Sequence, residues 1–482
     1  MLLALLASCI SPAALGAVPD DHKDDTPAFQ RAIDQAIAEH AEVCIPPGVW
    51  NLARPPGRVG SLELTGGPIA IRGAGPGTVL RMTGPGNHRT WAVLYAHDAH
   101  DVVIRDLTID GLDAVETREQ THLIQLSPGT HDVVIAGVTL GPMRRPGQAI
   151  GDGIGGDCLR LLGEVGREVA DVTVADTRFV DCDRSGIGLQ RALRDVALVG
   201  VTITGTGDTP IDFEPTGQGA ITDVAIVDVV IHQSSVAQSA WAITLTGIGD
   251  DLASRLLVER ATLDGGGIAM LNVADVEIAD SAITAHPATG GRAMISVMRR
   301  GTDVRLLRNT ITRPAAAGPG LVIRTSHNNG FFPHGLTVLD NTLTQATSQP
   351  VIVTNSAGGL VVRHNVIDYT GDPGVPMVQA IAELGDVAGL AIEDNDVRGA
   401  SGALIATSAR GAHQVSEVSQ RGNRGDADRA LRCDPPGGSV TSVTADQRLT
   451  DARRCGGASD ALPAPGSPPA PVSGAARGTE RD

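Results

Sequence analysis

Residues 195–203 read DVALVGVTI and residues 223–231 read DVAIVDVVI. Apolar residues alternate at period two in both, the spacing of a β-strand with one buried face. The same pattern recurs without internal gaps as DVVIRDLTI (101–109), DVVIAGVTL (132–140), DVTVADTRF (171–179) and RLLVERATL (255–263). It continues as DVEIADSAI (275–283), DVRLLRNTI (303–311), GLTVLDNTL (335–343), GLVVRHNVI (359–367) and GLAIEDNDV (389–397). Unit starts are 20 to 39 residues apart, and a second short strand such as HLIQLS, GIGLQ, PIDFEP or WAITLT lies between them. Helical repeats of similar period would show 3.6-residue spacing instead. The reading is therefore a solenoid whose coils stack as parallel sheets. Asn309, Asn341, Asn365 and Asn395 fall at one place in four units. Stacked asparagines at a coil corner can hydrogen-bond along the ladder, a structural role.

Composition agrees. Of 482 residues, 42% are hydrophobic but only 2% aromatic, so the core is built from Val, Ile, Leu and Ala in thin, regular layers. Fifty-nine glycines suit a chain with many tight turns. The net charge of −17 argues against a nucleic-acid partner, because phosphate binding needs a basic face. Only Lys23 is a lysine among 38 basic residues, which leaves no lysine base or Schiff base in the body of the protein. Arginine in its place suits two-pronged gripping of carboxylates.

The two ends read differently from the middle. Residues 1–19 are apolar, too short to span a bilayer, and resemble an export leader. Leu6-Ala7-Ser8-Cys9 resembles a lipobox, which would make Cys9 a lipid attachment site and place the protein in the cell envelope, anchored to a membrane, or secreted. In DDTPAFQRAIDQAIAEH, Thr26 is expected to cap a helix with Pro27 at its first position, and Phe29, Ile33, Ala36 and Ile37 share a stripe. Such a helix would close the open end of the solenoid. The repeats are expected to fill residues 20–409, with an irregular cap over 410–455 and a disordered Pro/Ala/Gly/Ser-rich tail over 456–482. Cys433 and Cys455 bracket a short stretch and are expected to pair in an oxidising compartment. No cysteine pair has zinc-site spacing near histidines.

The run DDTPAFQRAIDQA, then CIPPGVW, then IAIRGAGPGTVLRM resembles the N-terminus of the pectate-lyase-like superfamily. The resemblance covers residues 20–409 and implies an all-β fold, a single-stranded right-handed parallel β-helix with an N-terminal capping α-helix. CDRSGIGLQ followed by GTGDTPIDFEP is similar to a segment of secreted β-helix proteins within that superfamily. The resemblance also implies a carbohydrate-active surface: lyases, hydrolases and epimerases on acidic polysaccharides, along with spikes and adhesins.

Chemistry concentrates on three coils. Ile187 and Ile211 each lie sixteen residues after their unit's aspartate, so they should stack. That puts Gly188 beneath Asp212 and Gln190 beneath Glu214. Asp183, Arg184 and Asp208 lie on the turns into those strands, and Asp152, Asp157 and Arg160 lie one coil earlier. Asp suits turns for purely local reasons. Mid-strand Asp is disfavoured, however, and Asp212 and Glu214 stand on one strand face followed by Pro215. Same-face neighbours are about 6.6 Å apart at Cα, which leans towards an inverting glycosidase. The predicted catalytic residues are Asp212, Glu214, Asp183 and Asp157. The predicted substrate-binding residues are Arg184, Arg160, Gln190, Asp208 and Trp241. A hydrolase needs no cofactor, whereas a lyase would need a cation, either an arginine or Ca²⁺ held by clustered aspartates, and a base, either a histidine, Tyr95 or an arginine. The polygalacturonase signatures are absent. The predicted partner is an acidic polysaccharide. A C5-epimerase and a non-catalytic adhesin or carbohydrate binder are the alternatives.

Overall fold

Each repeat unit turns two corners five residues apart, and both corner residues adopt positive φ. Asp195 (55°) and Gly200 (65°) form one such pair, Asp223 (58°) and Asp228 (54°) the next, and Asp275 (53°) and Asp280 (52°) another. Asp tolerates the left-handed region better than most residues. This accounts for the aspartate that opens so many units. Twelve such pairs run from Asp101/Asp106 to Glu417/Gly422, one for each of about twelve coils. In this computed structural model the described residues are 8–84, 91–114, 120–143, 156–214, 217–233, 239, 241–287, 290–327, 330–355, 357–372, 374–399, 403–409, 413–425, 431–434 and 439–445.

Strand pairing is parallel from coil to coil, so the molecule is an all-β right-handed parallel β-helix. The repeated segments stack in register: Val133 on Val172, Val172 on Val196, Val196 on Val224 and Val224 on Leu256. A second face carries β1 (Thr121–Leu126), β2 (Leu159–Leu162), β3 (Ile187–Gln190), β4 (Ile211–Phe213) and β5 (Trp241–Thr246). In β4, Ile211 and Phe213 are buried and Asp212 is partly exposed, as alternation requires, and so is Glu214 just beyond it. Inside, Leu, Ile and Val side chains stack from coil to coil in one continuous core.

At the N-terminal end, α1 (Thr26–Glu39) packs Phe29 edge-on to Trp50, with ring centroids 5.5 Å apart. The Gln30 side chain donates to the Glu63 carbonyl at 3.0 Å and accepts from the Glu63 N–H at 2.9 Å, occupying backbone groups of the outermost strand. The cap residue is Asp25 rather than Thr26. Its carboxylate accepts from the N–H groups of Val18 (2.9 Å) and Asn51 (3.1 Å), while Thr26 lies inside the helix and donates to the Ala53 carbonyl.

Cys9 is bonded to Cys44, and Cys9–Ile10 pairs with Glu42–Val43 as a strand of the solenoid. Ile10 and Ala17 are buried against the first coils. At the far end, pairing continues beyond 409 through Gln414–Arg421 to Ser439–Ala445. The side chains of Cys433 and Cys455, the tail from 456, Asp152 and Pro215 lie outside the described residues.

Candidate functional site

The ladder on the second face runs Tyr95, Gln125, Arg160, Gly188, Asp212, Thr244. Gly188 and Asp212 are register partners, as the unit spacing predicts. Glu214 follows in the same register, its N–H donating to the Leu189 carbonyl at 2.9 Å, with its carboxylate on the Gln190 amide. Gly188 leaves a gap in the row of side chains, and the carboxylate of Asp157 fills it. A Cβ at Gly188 would stand 2.5 Å from Asp157 Oδ2.

Arg184 joins the acids. Its Nε and Nη2 grip Asp157 bidentately at 2.8 and 2.9 Å, and its Nη2 reaches Glu214 Oε2 at 2.8 Å. Asp157 is fully buried, Arg184 is 13% exposed and Glu214 is 30% exposed. Behind them, Arg160 donates through Nε to Gln190 Oε1 at 3.1 Å and also contacts Gln120 and His122. His122 Nε2 lies 3.3 Å from Arg160 Nη1, and its Nδ1 lies 3.2 Å from the Asp157 carbonyl oxygen and 3.1 Å from the Asp157 backbone nitrogen. The disulfide Cys158–Cys182 adjoins both Asp157 and Asp183-Arg184 and ties two coils together beneath the cluster.

These contacts divide the acids. Burial pushes the carboxyl of Asp212 up to about 7. The negative charges of Asp157, Glu214 and Asp208 push the same way, against a hydrogen bond from Thr244. Burial alone would also raise Asp157, but the Arg184 guanidinium outweighs it and holds that carboxyl below the usual range. His122 is driven down to about 3 by burial, against the pull of Asp157, and stays neutral at ordinary pH.

The structure thus brings together Asp157, Arg160, Arg184, Gln190, Asp212 and Glu214, with Asp208 close enough to influence Asp212. Arg160 and Arg184 spend the donors described above on protein partners rather than presenting them to a ligand. Asp183 is 2% exposed and Asp157 is fully buried, whereas Asp212, Glu214 and the neighbouring Asp208 have access to solvent. Trp241 is partly exposed one coil further on, with the Arg292 guanidinium 5.8 Å from its ring centre. Tyr95 lies four rungs from Asp212 on the same row. His122 was not singled out from the sequence. The available signal was its parity, which it shares with the inward-facing Ile124 and Leu126. Among the described residues, no group of three or more His, Cys, Asp or Glu side chains is arranged to hold a metal ion.

The fold and site together define a class: a parallel β-solenoid with an outward acid pair braced by an arginine-locked carboxylate. Neither protein-family models nor curated protein sequences match the chain. Its backbone is similar to the tailspike of E. coli bacteriophage HK620, solved with a pentasaccharide: TM-score 0.64, 12% identity, covering 90% of this chain and 80% of the tailspike chain. A looser superposition, with TM-score 0.48 and 16% identity, relates it to the A-module of mannuronan C-5 epimerase AlgE4 from Azotobacter vinelandii, covering 90% of this chain and 100% of that one.

Proposed function

We propose that the protein is an exported glycoside hydrolase acting on an acidic polysaccharide, with Asp212 as general acid and Glu214 as general base. The observation that carries this reading is the pair itself. Two solvent-reachable carboxylates share one rigid strand face, and burial pushes one of them up to about 7 while the other is ion-paired with Arg184. Their Cα atoms, two residues apart on a strand, are about 6.6 Å from each other, which suits a water held between base and anomeric carbon. Asp212 gives its proton to the glycosidic oxygen as the bond to the anomeric carbon breaks. Glu214 takes a proton from water as the water oxygen bonds to that carbon from the opposite side. Asp212 ends as carboxylate and Glu214 as carboxylic acid, and exchange with solvent restores both. Asp157 and Arg184 touch no sugar in this scheme and act as positioning residues. Export is supported by the buried Cys158–Cys182 bond, which suits an oxidising compartment.

The test is release of reducing ends from a glycan panel, alongside absorbance of unsaturated uronates. Wild type should release reducing ends without unsaturation, and Asp212→Asn should lower the rate about 10²- to 10⁴-fold, the usual contribution of a general acid. Unsaturated products, or a rate unchanged by both Asp212→Asn and Glu214→Gln, would sink this assignment. A second reading, a non-catalytic glycan binder, draws on the 2% aromatic content, which supplies few stacking platforms. It predicts saturable binding with no product and the same affinity in Asp212→Asn.

A further inference from the structure

Away from the acid cluster, a cleft of about 270 Å³ is lined by Gly249, Asp250, Asn272, Arg299, Arg300 and Phe331. Its position follows from the ladder. Asp212 pairs with Thr244, Thr244 with Ala269 and Ala269 with Ser296. Arg299 lies three residues past Ser296, towards the same corner that Glu214 approaches from Asp212. The cleft is thus three rungs further along the same edge of the solenoid, about 14 Å at the usual strand spacing.

Its chemistry is that of an anion site with an aromatic rim. The Arg300 guanidinium lies over Phe331 at 4.1 Å and is neutralised by Asp250. Phe331 is 39% exposed, one of few large apolar side chains so placed among the described residues. Arg299, in contrast, has a buried Nε with no acceptor among the described residues. Arg299 also lines the cleft, and a guanidinium there offers donors to a ligand oxygen. Arg299 sits at a corner with φ 56°, and Asn272 at the same kind of corner one coil earlier has φ 53°. The wall is a tight hairpin, Ile248 and Asp251 exchanging backbone hydrogen bonds at 3.0 and 2.9 Å. Two arginines against one aspartate leave the cleft net positive on a chain whose total charge is −17. A planar guanidinium edge suits a carboxylate, and an exposed aromatic rim suits the apolar face of a sugar ring.

We propose that this cleft is an accessory subsite that binds a sugar carboxylate of the same glycan, so that the polymer runs along the solenoid axis. The proposal rests on the glycan-directed reading above and specifies its ligand as a uronate-bearing chain long enough to span both places.

The test is calorimetric titration with hexamers of galacturonate, mannuronate and glucuronate, and with the same hexamers reduced at their carboxyl groups. It uses Asp212→Asn protein to prevent turnover, with and without Arg299→Gln or Phe331→Ala. The expected result is that at least one acidic hexamer binds, that its reduced form binds at least about tenfold more weakly, and that each cleft variant loses about tenfold. Phe331→Ala removes an exposed side chain, so it keeps the test valid if Arg299→Gln fails to fold, as its melting temperature would reveal. Equal affinity in both variants overturns the subsite and leaves the Asp212–Glu214 reading standing. Equal binding of reduced and acidic hexamers overturns the carboxylate, and binding of no hexamer overturns the proposal as stated. Lost affinity in the cleft variants from a wild type that yields no product overturns the hydrolase reading alone.

Discussion

Asp212 and Asp157 are neighbours because Gly188, the register partner of Asp212, has no side chain and the Asp157 carboxylate fills its place. The environments of the two carboxyls are opposed: Asp157 is locked to Arg184, whereas Asp212, partly exposed, is desolvated among other negative charges. The difference has a definite sign in stability. For Asp212 the folded value of about 7 lies above the ordinary 3.8. Between those values the unfolded chain releases a proton that the folded chain keeps, so this group's contribution is fully present below about pH 4 and is lost as pH rises towards 7. Wild type minus Asp212→Asn, compared by denaturant midpoint from pH 4 to 8, should show that decline; a flat difference would remove the basis for treating Asp212 as the acid. Activity should likewise fall above about pH 7. A methyl group at Gly188 forces the gripped carboxylate of Asp157 aside. Gly188→Ala should therefore cost about 1–3 kcal/mol, typical of overpacking, and lower activity as well, measured by melting and by product release. The acid pair was legible in the sequence because parity and unit spacing fix which way a strand side chain points. Its bracing was not, because whether Arg184 faces a sugar or Asp157 depends on side-chain rotamers that no spacing records.

At the scale of elements, the corners carry the architecture. Asn309, Asn341, Asn365, Asn395 and Asn423 form one buried run, each Nδ2 donating to the next Oδ1 at 2.9–3.0 Å. Each Oδ1 also accepts the preceding asparagine's backbone N–H at 2.8–3.0 Å. Four of these asparagines were visible as a column in the aligned units; Asn423 lay beyond the point where the apolar pattern fades. Asn341→Ala would leave the Asn309 N–H and the Leu306 carbonyl without their partner, a loss of about 3 kcal/mol for two buried groups. Asn423→Ala, at the end of the run, should cost less. Chemical denaturation that ranks the two variants the other way would contradict a cooperative ladder. The aspartates at the opposite corners were read as unit markers, and the structure supplies their cause in positive φ. Arginine replaces aspartate at three of these positions, Arg255, Arg260 and Arg308, each bidentate to the aspartate one coil before, Asp223, Asp228 and Asp280.

Over the whole molecule, coils touch only their neighbours, so stability is close to a sum of coil-to-coil interfaces. A cluster assembled from three consecutive coils, as Asp157, Arg184 and Glu214 are, depends on their staying in register. Cys158–Cys182 supplies a covalent tie at this level: it joins adjacent coils, is wholly buried, and sits one residue from both Asp157 and Asp183. The repeat itself was legible from Asp101 to Val397, since period-two alternation survives any coil length. The tie was not, because the segment before Asp157 varies in length and hides which residues meet at that corner. Closing a loop of this size contributes about 3 kcal/mol. Cys158→Ala with Cys182→Ala should lower stability by that amount, and product release should fall further than the stability loss explains, because Asp157 and Arg184 are no longer pinned beneath Glu214. The comparison is made well below the melting temperature of the double variant, where both proteins are folded. Activity equal to wild type under those conditions would mean that the bond stabilises the coils without placing the acids, and that Arg184 alone holds the cluster in register.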